Sequence, residues 1–298
     1  MTDRAPHELS LTPLPASPPR KPDGHKGDFG RGLIVGGSQG MSGAAVLAGR
    51  ALLRGGVGLG FLAVPEGIQA IVAAAEPSYL TVSLQADAEG RVSGDSRNRI
   101  VEQASRSDAI GYGPGMGQSP GLTALTVWLY QNLAQPMVVD ADGLNALAQL
   151  PDALGSPGGP RILTPHPGEF SRLIGESTRM VQENRAQFAA SFAQRHNLVL
   201  VLKGRGTVVT DGRRAVLNPT GNPGMATGGS GDVLTGLLTA LLAQGMPPFD
   251  AARLGVYVHG LAGDLAAAEL GQLSLIASDL VDYLPKAFRQ CDASGNTN

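Results

Sequence analysis

The chain has 298 residues, 42 of them Gly and 21 Pro, with a charged fraction of 16% and a formal charge of −2. Glycine is used at roughly twice the ordinary rate, but no Gly-X-Y period accompanies it, which excludes collagen. A hydrophobic fraction of 42% excludes wholesale disorder, and 23 basic against 25 acidic residues exclude the electrostatic footprint of a general nucleic-acid binder. The single Cys, Cys291, excludes an internal disulfide framework and a structural zinc cluster.

Taken in chain order, residues 1–24 carry six prolines and no apolar run of signal-peptide length. They read as an extended tail ahead of a single domain over 25–298. Residues 32–37 read as a buried strand ending in glycines, 44–54 as a helix and 55–64 as a second strand, which together make a βαβ unit. Further strands are expected at 81–84, 109–112, 137–140, 161–164 and 198–202. Residues 207–210 and 214–217 flank Asp211-Gly212, a hairpin dipeptide that adds an antiparallel piece. Helices follow at 231–244, 250–270 and 278–289. The alternation predicts an α/β fold with a mostly parallel central sheet flanked by helices on both faces. The most apolar stretch, 233–246, is shorter than the roughly 18 residues of a membrane span. The expectation is a soluble, cytoplasmic protein with no membrane and no nucleic acid among its partners.

The richest chemistry lies in Asn218-Pro-Thr-Gly-Asn-Pro-Gly-Met-Ala-Thr-Gly-Gly-Ser-Gly-Asp232, which runs straight into an apolar helix. Gly229, Ser230 and Gly231 offer backbone N–H groups at a helix N-terminus, where orphan donors and the macrodipole favour an anion. Asp232 falls in the first turn beside that anion site. A carboxylate there can accept the proton of a hydroxyl attacking a phosphoryl group, or can simply stabilise its helix. No Gly-Lys-Ser/Thr follows, so this is not a Walker loop. Lys203-Gly204-Arg205-Gly206-Thr207 ends a predicted strand with a cation, two glycines and a hydroxyl, which suits a nucleotide phosphate or an ordinary glycine turn. His259, mid-helix on an apolar run, reads as a core histidine. Asp140 and Asn145 lie at another strand end, either as catalytic support or as loop anchors.

The Gly-Gly-Ser-Gly-Asp232 segment resembles the anion hole and catalytic aspartate of ribokinase-like small-molecule kinases. The longer string resembles, within that superfamily, the NAD(P)H-hydrate dehydratases. Other segments agree in order: His25-Lys-Gly-Asp-Phe-Gly-Arg31, Gly36-Gly-Ser38, Gly113-Pro-Gly-Met-Gly117, Asp140-Ala-Asp-Gly-Leu-Asn145, Thr164-Pro-His-Pro-Gly-Glu169 and Lys203 to Thr207. The likeness covers residues 25 to 290 or so. It implies a ribokinase-like fold and dehydration of the S epimer of NADH hydrate or NADPH hydrate. ADP, or ATP, would be the phosphoryl donor, Mg²⁺ would be required, and AMP and phosphate would be released when ADP is used.

By the same resemblance Asp232 would deprotonate the hydroxyl, and Ala45, Gly115 and His166 would contact the hydrate. Lys203, Gly204, Arg205, Gly206, Thr207 and Gly231 would hold the nucleotide, and Glu169 would help hold magnesium through water. A lone His such as His166 is otherwise a structural hydrogen-bonder, and Glu169 otherwise a first-turn helix acid. Ser230 stands where many members carry Thr. The companion epimerase domain of some members has no room in a 24-residue tail, so a separate epimerase is expected as a partner, together with a homotetramer built on helices such as 251–270. A ribokinase-like kinase acting on a small alcohol such as hydroxyethylthiazole is the alternative.

Overall fold

A computed structural model describes residues 13–295. Nine strands form one sheet: β1 (Arg31–Val35), β2 (Leu59–Pro65), β3 (Leu80–Leu84), β4 (Ala109–Tyr112), β5 (Met137–Val139), β6 (Arg161–Leu163), β7 (Val199–Leu202), β8 (Val208–Thr210) and β9 (Ala215–Leu217). Their spatial order is β3-β2-β1-β4-β5-β6-β7-β8-β9, parallel as far as β7 and antiparallel from there. The helices are α1 (Ser42–Arg54), α2 (Glu66–Ala75), α3 (Arg97–Ala104), α4 (Pro120–Asn132), α5 (Ala141–Gln149), α6 (Pro167–Ile174), α7 (Thr178–Glu183), α8 (Arg185–His196), α9 (Ser230–Ala243), α10 (Pro248–Leu270) and α11 (Ala277–Gly295).

Strand residues alternate between two cores, as a pleat with both faces covered requires. Leu33 and Val35 pack with α3–α8, whereas Ile34 packs with α1, α2 and α9–α11. At the centre of the second group lies α9, in which every residue from Val233 to Ala243 is buried. A helix apolar all round has to be enclosed. Small residues let its neighbours come close: a side chain at Gly236 would drive into the Ala48 carbonyl of α1.

The strand at 109–112 falls where the sequence puts it, and the hairpin forms around Asp211-Gly212. The second strand starts at Leu59 rather than at 55, because Gly55 N–H closes α1 on the Ala51 carbonyl and Gly56 takes φ +93°. Of α10, the helix expected to supply subunit interfaces, Leu254, Val258, Ala262 and Ala266 are fully buried within the chain, while Leu270 is 43% exposed. Residues 1–12 of the Pro-rich segment lie outside the described residues. Residues 13–24 form no helix or strand but are tied to the domain. Leu14 packs on the core, Arg20 lies 4.1 Å from the Phe29 ring centroid and donates to the Gly56 carbonyl, and Arg253 donates to the Pro13 carbonyl. No described helix is long and apolar enough to cross a membrane.

Arg161, at the start of β6, is only 1% exposed, and its guanidinium donates to the carbonyls of Tyr130, Leu133, Gln135 and Pro160. Three of these lie at or just beyond the C-terminus of α4, where the helix dipole favours a cation. Burial lowers its pKa to about 10, so it stays charged at neutral pH. Arg161→Met is expected to strand those carbonyls and cost about 3 kcal/mol or more, measured as a lower urea midpoint at unchanged slope.

Candidate active site

Parallel strands end at one edge of the sheet, and ligands bind where the strand order reverses, here between β1 and β4. The loops after those two strands are joined: Gly37 N–H donates to the Pro114 carbonyl at 2.7 Å, and Ser38 Oγ donates to the Gly115 carbonyl at 2.8 Å. At Gly113, φ is +118° and a side chain would overlap the Asp140 carbonyl, so only glycine fits. Gly115 has φ +60° and lies against the Ala44 side chain. Ala45, chosen as a hydrate contact, is 0% exposed and packs beneath Gly37. It therefore presents no surface to a ligand, and the half-buried Ala44 is the one that borders the loop.

Asp140 follows β5, Glu169 lies in the first turn of α6 after β6, and Lys203 follows β7. Adjacency in the sheet brings them together. Lys203 Nζ is 2.7 Å from Asp140 Oδ1 and 3.9 Å from Glu169 Oε2. Thr235 Oγ1, on α9, donates to Asp140 Oδ2 at 2.9 Å. Asp140 is 1% exposed. Burial alone would raise its pKa, but the Lys203 ammonium and the hydroxyls of Thr164 and Thr235 hold it below the usual carboxylate range. Burial would likewise lower Lys203, yet Asp140 and Glu169 bring it out above its ordinary value. Asp140 is buried while Lys203 keeps 20% of its side chain exposed, so the cation that the sequence offers to phosphate is already paired.

Above the pair stands the N-terminus of α9. Gly229 caps it at φ +94°, and Ser230 Oγ is tied to the Met225 carbonyl at 2.7 Å. The amides of Gly231 and Asp232 lie in the first turn, where a helix supplies no carbonyl partner. Gly231 adjoins both charges: a Cβ there would stand 3.2 Å from Lys203 Nζ and 3.4 Å from Asp140 Oδ2. Burial pushes the Asp232 carboxyl up to about 7, and the charges of Asp140 and Asp142 add to this against the opposing Lys203. Such a value suits a general base at neutral pH. The loop leading into α9 is bolted to α10. Gly221 N–H and Asn222 Nδ2 donate to Asp264, Thr220 Oγ1 donates to the Tyr257 carbonyl, and side chains at Gly260 or Gly263 would collide with Thr220 or Met225.

In the segment after β7, Gly204 and Gly206 take φ +129° and +63°, and the Thr207 hydroxyl donates to the Gly204 carbonyl. Arg205 points outward, exposed. Behind the turn, Arg185 of α8 donates to the carbonyls of Leu202, Lys203 and Gly206. His166 Nδ1 accepts the N–H groups of Gly168 and Glu169, while Glu169 Oε2 accepts His166 N–H at 2.8 Å, so the two cap α6 reciprocally. His166 remains half exposed at the site edge, whereas Glu169 is 7% exposed and committed to this cap. No group of three or more His, Cys, Asp or Glu residues among the described residues could hold a metal.

Sequence reasoning missed Arg185 and Asp264. Their roles depend on long-range packing, and neither carries a local signature. His259, expected as a core histidine, is largely buried, and its partner is specific: Nε2 lies 2.9 Å from the Ser230 carbonyl in the first turn of α9.

This architecture, a mostly parallel sheet with a glycine-led helix N-terminus and an aspartate in its first turn, is that of the ribokinase-like fold. Ribokinase from Thermotoga maritima superposes with a TM-score of 0.55 over 87% of this chain and 100% of its own, at 17% identity. The NAD(P)H-hydrate dehydratase family model matches residues 32–286, and the chain belongs to that family. It is similar to the ADP/ATP-dependent NAD(P)H-hydrate dehydratase from Bacillus subtilis, co-crystallised with ATP/Mg²⁺, with a TM-score of 0.77, 31% identity, and 92% and 94% of the two chains covered. It is 45% identical over 282 residues to the bifunctional NAD(P)H-hydrate repair enzyme Nnr of Moorella thermoacetica, covering 94% of this chain and 53% of that protein. The chain spans about half the length of the curated relatives it matches.

Proposed function

We propose that this chain dehydrates the S epimer of NADH hydrate or NADPH hydrate at the expense of ADP. The ring hydroxyl loses its proton to Asp232 and takes the β-phosphoryl group of ADP, leaving AMP. Phosphate then departs from the ring with its electron pair, a ring proton is lost, and NAD(P)H is restored. The observation that carries this reading is Asp232, with a pKa raised to about 7, one residue beyond the Gly231 amide in the partly exposed first turn of an otherwise buried helix. That amide would donate to the transferring phosphoryl oxygens. His166 and the Gly115 loop would hold the hydrate, while Arg205, Thr207 and the amides of Gly204 and Gly206 would hold the nucleotide.

Magnesium, when bound, neutralises charge building on the phosphoryl group. It fits here as an ion carried mainly by phosphates and water, since Glu169 is held in the α6 cap and Asp140 is paired with Lys203. ADP is preferred on the family's bacterial pattern. A homotetramer, a cytoplasmic location and an epimerase activity that supplies the S epimer complete the reading.

The test is recovery of reduced-nicotinamide absorbance from prepared NADH hydrate with Mg²⁺, with ADP and ATP in parallel. Nucleotide-dependent recovery with stoichiometric free phosphate is expected. A stable phosphate ester without recovery would instead identify a small-molecule kinase.

A further inference from the structure

His259 lies on α10, and no step of the proposed reaction uses it directly. Its partner is specific: Nε2 stands 2.9 Å from the carbonyl oxygen of Ser230. A carbonyl only accepts, so the ring is the tautomer with the proton on Nε2. Burial lowers the pKa of His259 to about 4, so the ring is neutral at physiological pH.

The Ser230 carbonyl belongs to the same planar peptide unit as the Gly231 N–H. As the first residue of α9, Ser230 already commits this oxygen to the helix ladder, and His259 adds a second donor to its other lone pair. Hydrogen bonding at a peptide oxygen draws electron density from its nitrogen and strengthens the N–H as a donor. It also fixes the peptide plane. The neighbouring restraints serve the same end, since Ser230 Oγ is anchored to Met225 and the loop before it to Asp264.

We infer that His259 is a positioning residue for phosphoryl transfer, polarising and orienting the Ser230–Gly231 peptide so that the Gly231 amide stabilises charge developing on the transferred phosphoryl group. The inference rests on the dehydratase reading, because the oxyanion it serves arises in that reaction. A donor acting through another group matters most when charge peaks, so kcat carries the effect and ground-state binding does not.

The experiment compares wild type, His259→Leu and His259→Gln in the hydrate-recovery assay with ADP and Mg²⁺. Removing a direct oxyanion donor costs on the order of 10²–10³ in kcat, so removing one that acts behind it should cost roughly tenfold. KM for ADP and for hydrate should stay within about twofold, and His259→Gln, which retains a terminal N–H donor, should recover most of the loss. Unchanged kcat in His259→Leu, a rise in KM alone, or His259→Gln as slow as His259→Leu would overturn the inference. The ¹⁵N spectrum of histidine-labelled wild type tests it without a variant: a neutral ring carrying its proton on Nε2 is required, and an Nδ1–H tautomer would overturn it. Wild type that fails to recover absorbance with either nucleotide refutes the dehydratase reading instead, before any variant is compared.

Discussion

Asp232→Asn is expected to bind ADP within a few-fold of wild type and to turn over hydrate about 10³-fold more slowly, since a positioned general base contributes roughly 10²–10⁴. Isothermal titration and the absorbance assay read the two quantities separately, and wild-type turnover in the variant would remove Asp232 from the chemistry. The pH profile follows from the same carboxyl. The base works ionised, so kcat/KM should fall tenfold per pH unit below about 7. Its effect on stability runs the other way. The native pKa of about 7 exceeds the ordinary 3.8, so the folded state holds this proton more tightly. Its stabilisation is complete below about pH 4 and is lost as pH rises through 7. At pH 8 Asp232→Asn should therefore be more stable than wild type, by a few kcal/mol on the order of 2–4, while nearly inactive.

The second large effect lies beneath it. Asp140→Asn leaves the partly buried Lys203 ammonium without its nearest counter-charge, and Lys203→Met leaves the buried Asp140 carboxylate without its own. Each should cost about 3–5 kcal/mol in urea unfolding, and the double variant less than the sum of the two, because a neutral pair orphans neither charge. Additive losses would mean that the pair is not coupled. Asp140→Asn should also move the acid limb of kcat/KM below that of wild type, because Asp140 is one of the charges that raise Asp232.

Much of this site is legible in the sequence because glycine leaves a local trace. Gly113, Gly204, Gly206 and Gly229 all take positive φ, and a string such as Gly-Gly-Ser-Gly-Asp before an apolar run announces a helix start. What could not be read is spatial adjacency. Asp140 and Lys203 are 63 residues apart, and their contact depends on which strands neighbour one another. Ala44 and Ala45 are indistinguishable in the sequence, but successive helical residues point roughly 100° apart, so one borders the Gly115 loop while the other is sealed in the core. His259 is legible as a core histidine from its apolar helix face, but its partner, the Ser230 carbonyl 29 residues away, is not.

The enclosure of α9 has a consequence for how the molecule moves. The helix carrying the Gly231 amide and Asp232 is buried from Val233 onward and is locked to α1 through Gly236. It cannot shift without opening the main core, so its backbone should be among the last to exchange with solvent. In the proposed reaction, admission of the hydrate and release of its product would therefore fall to the glycine-rich loops around a fixed Asp232.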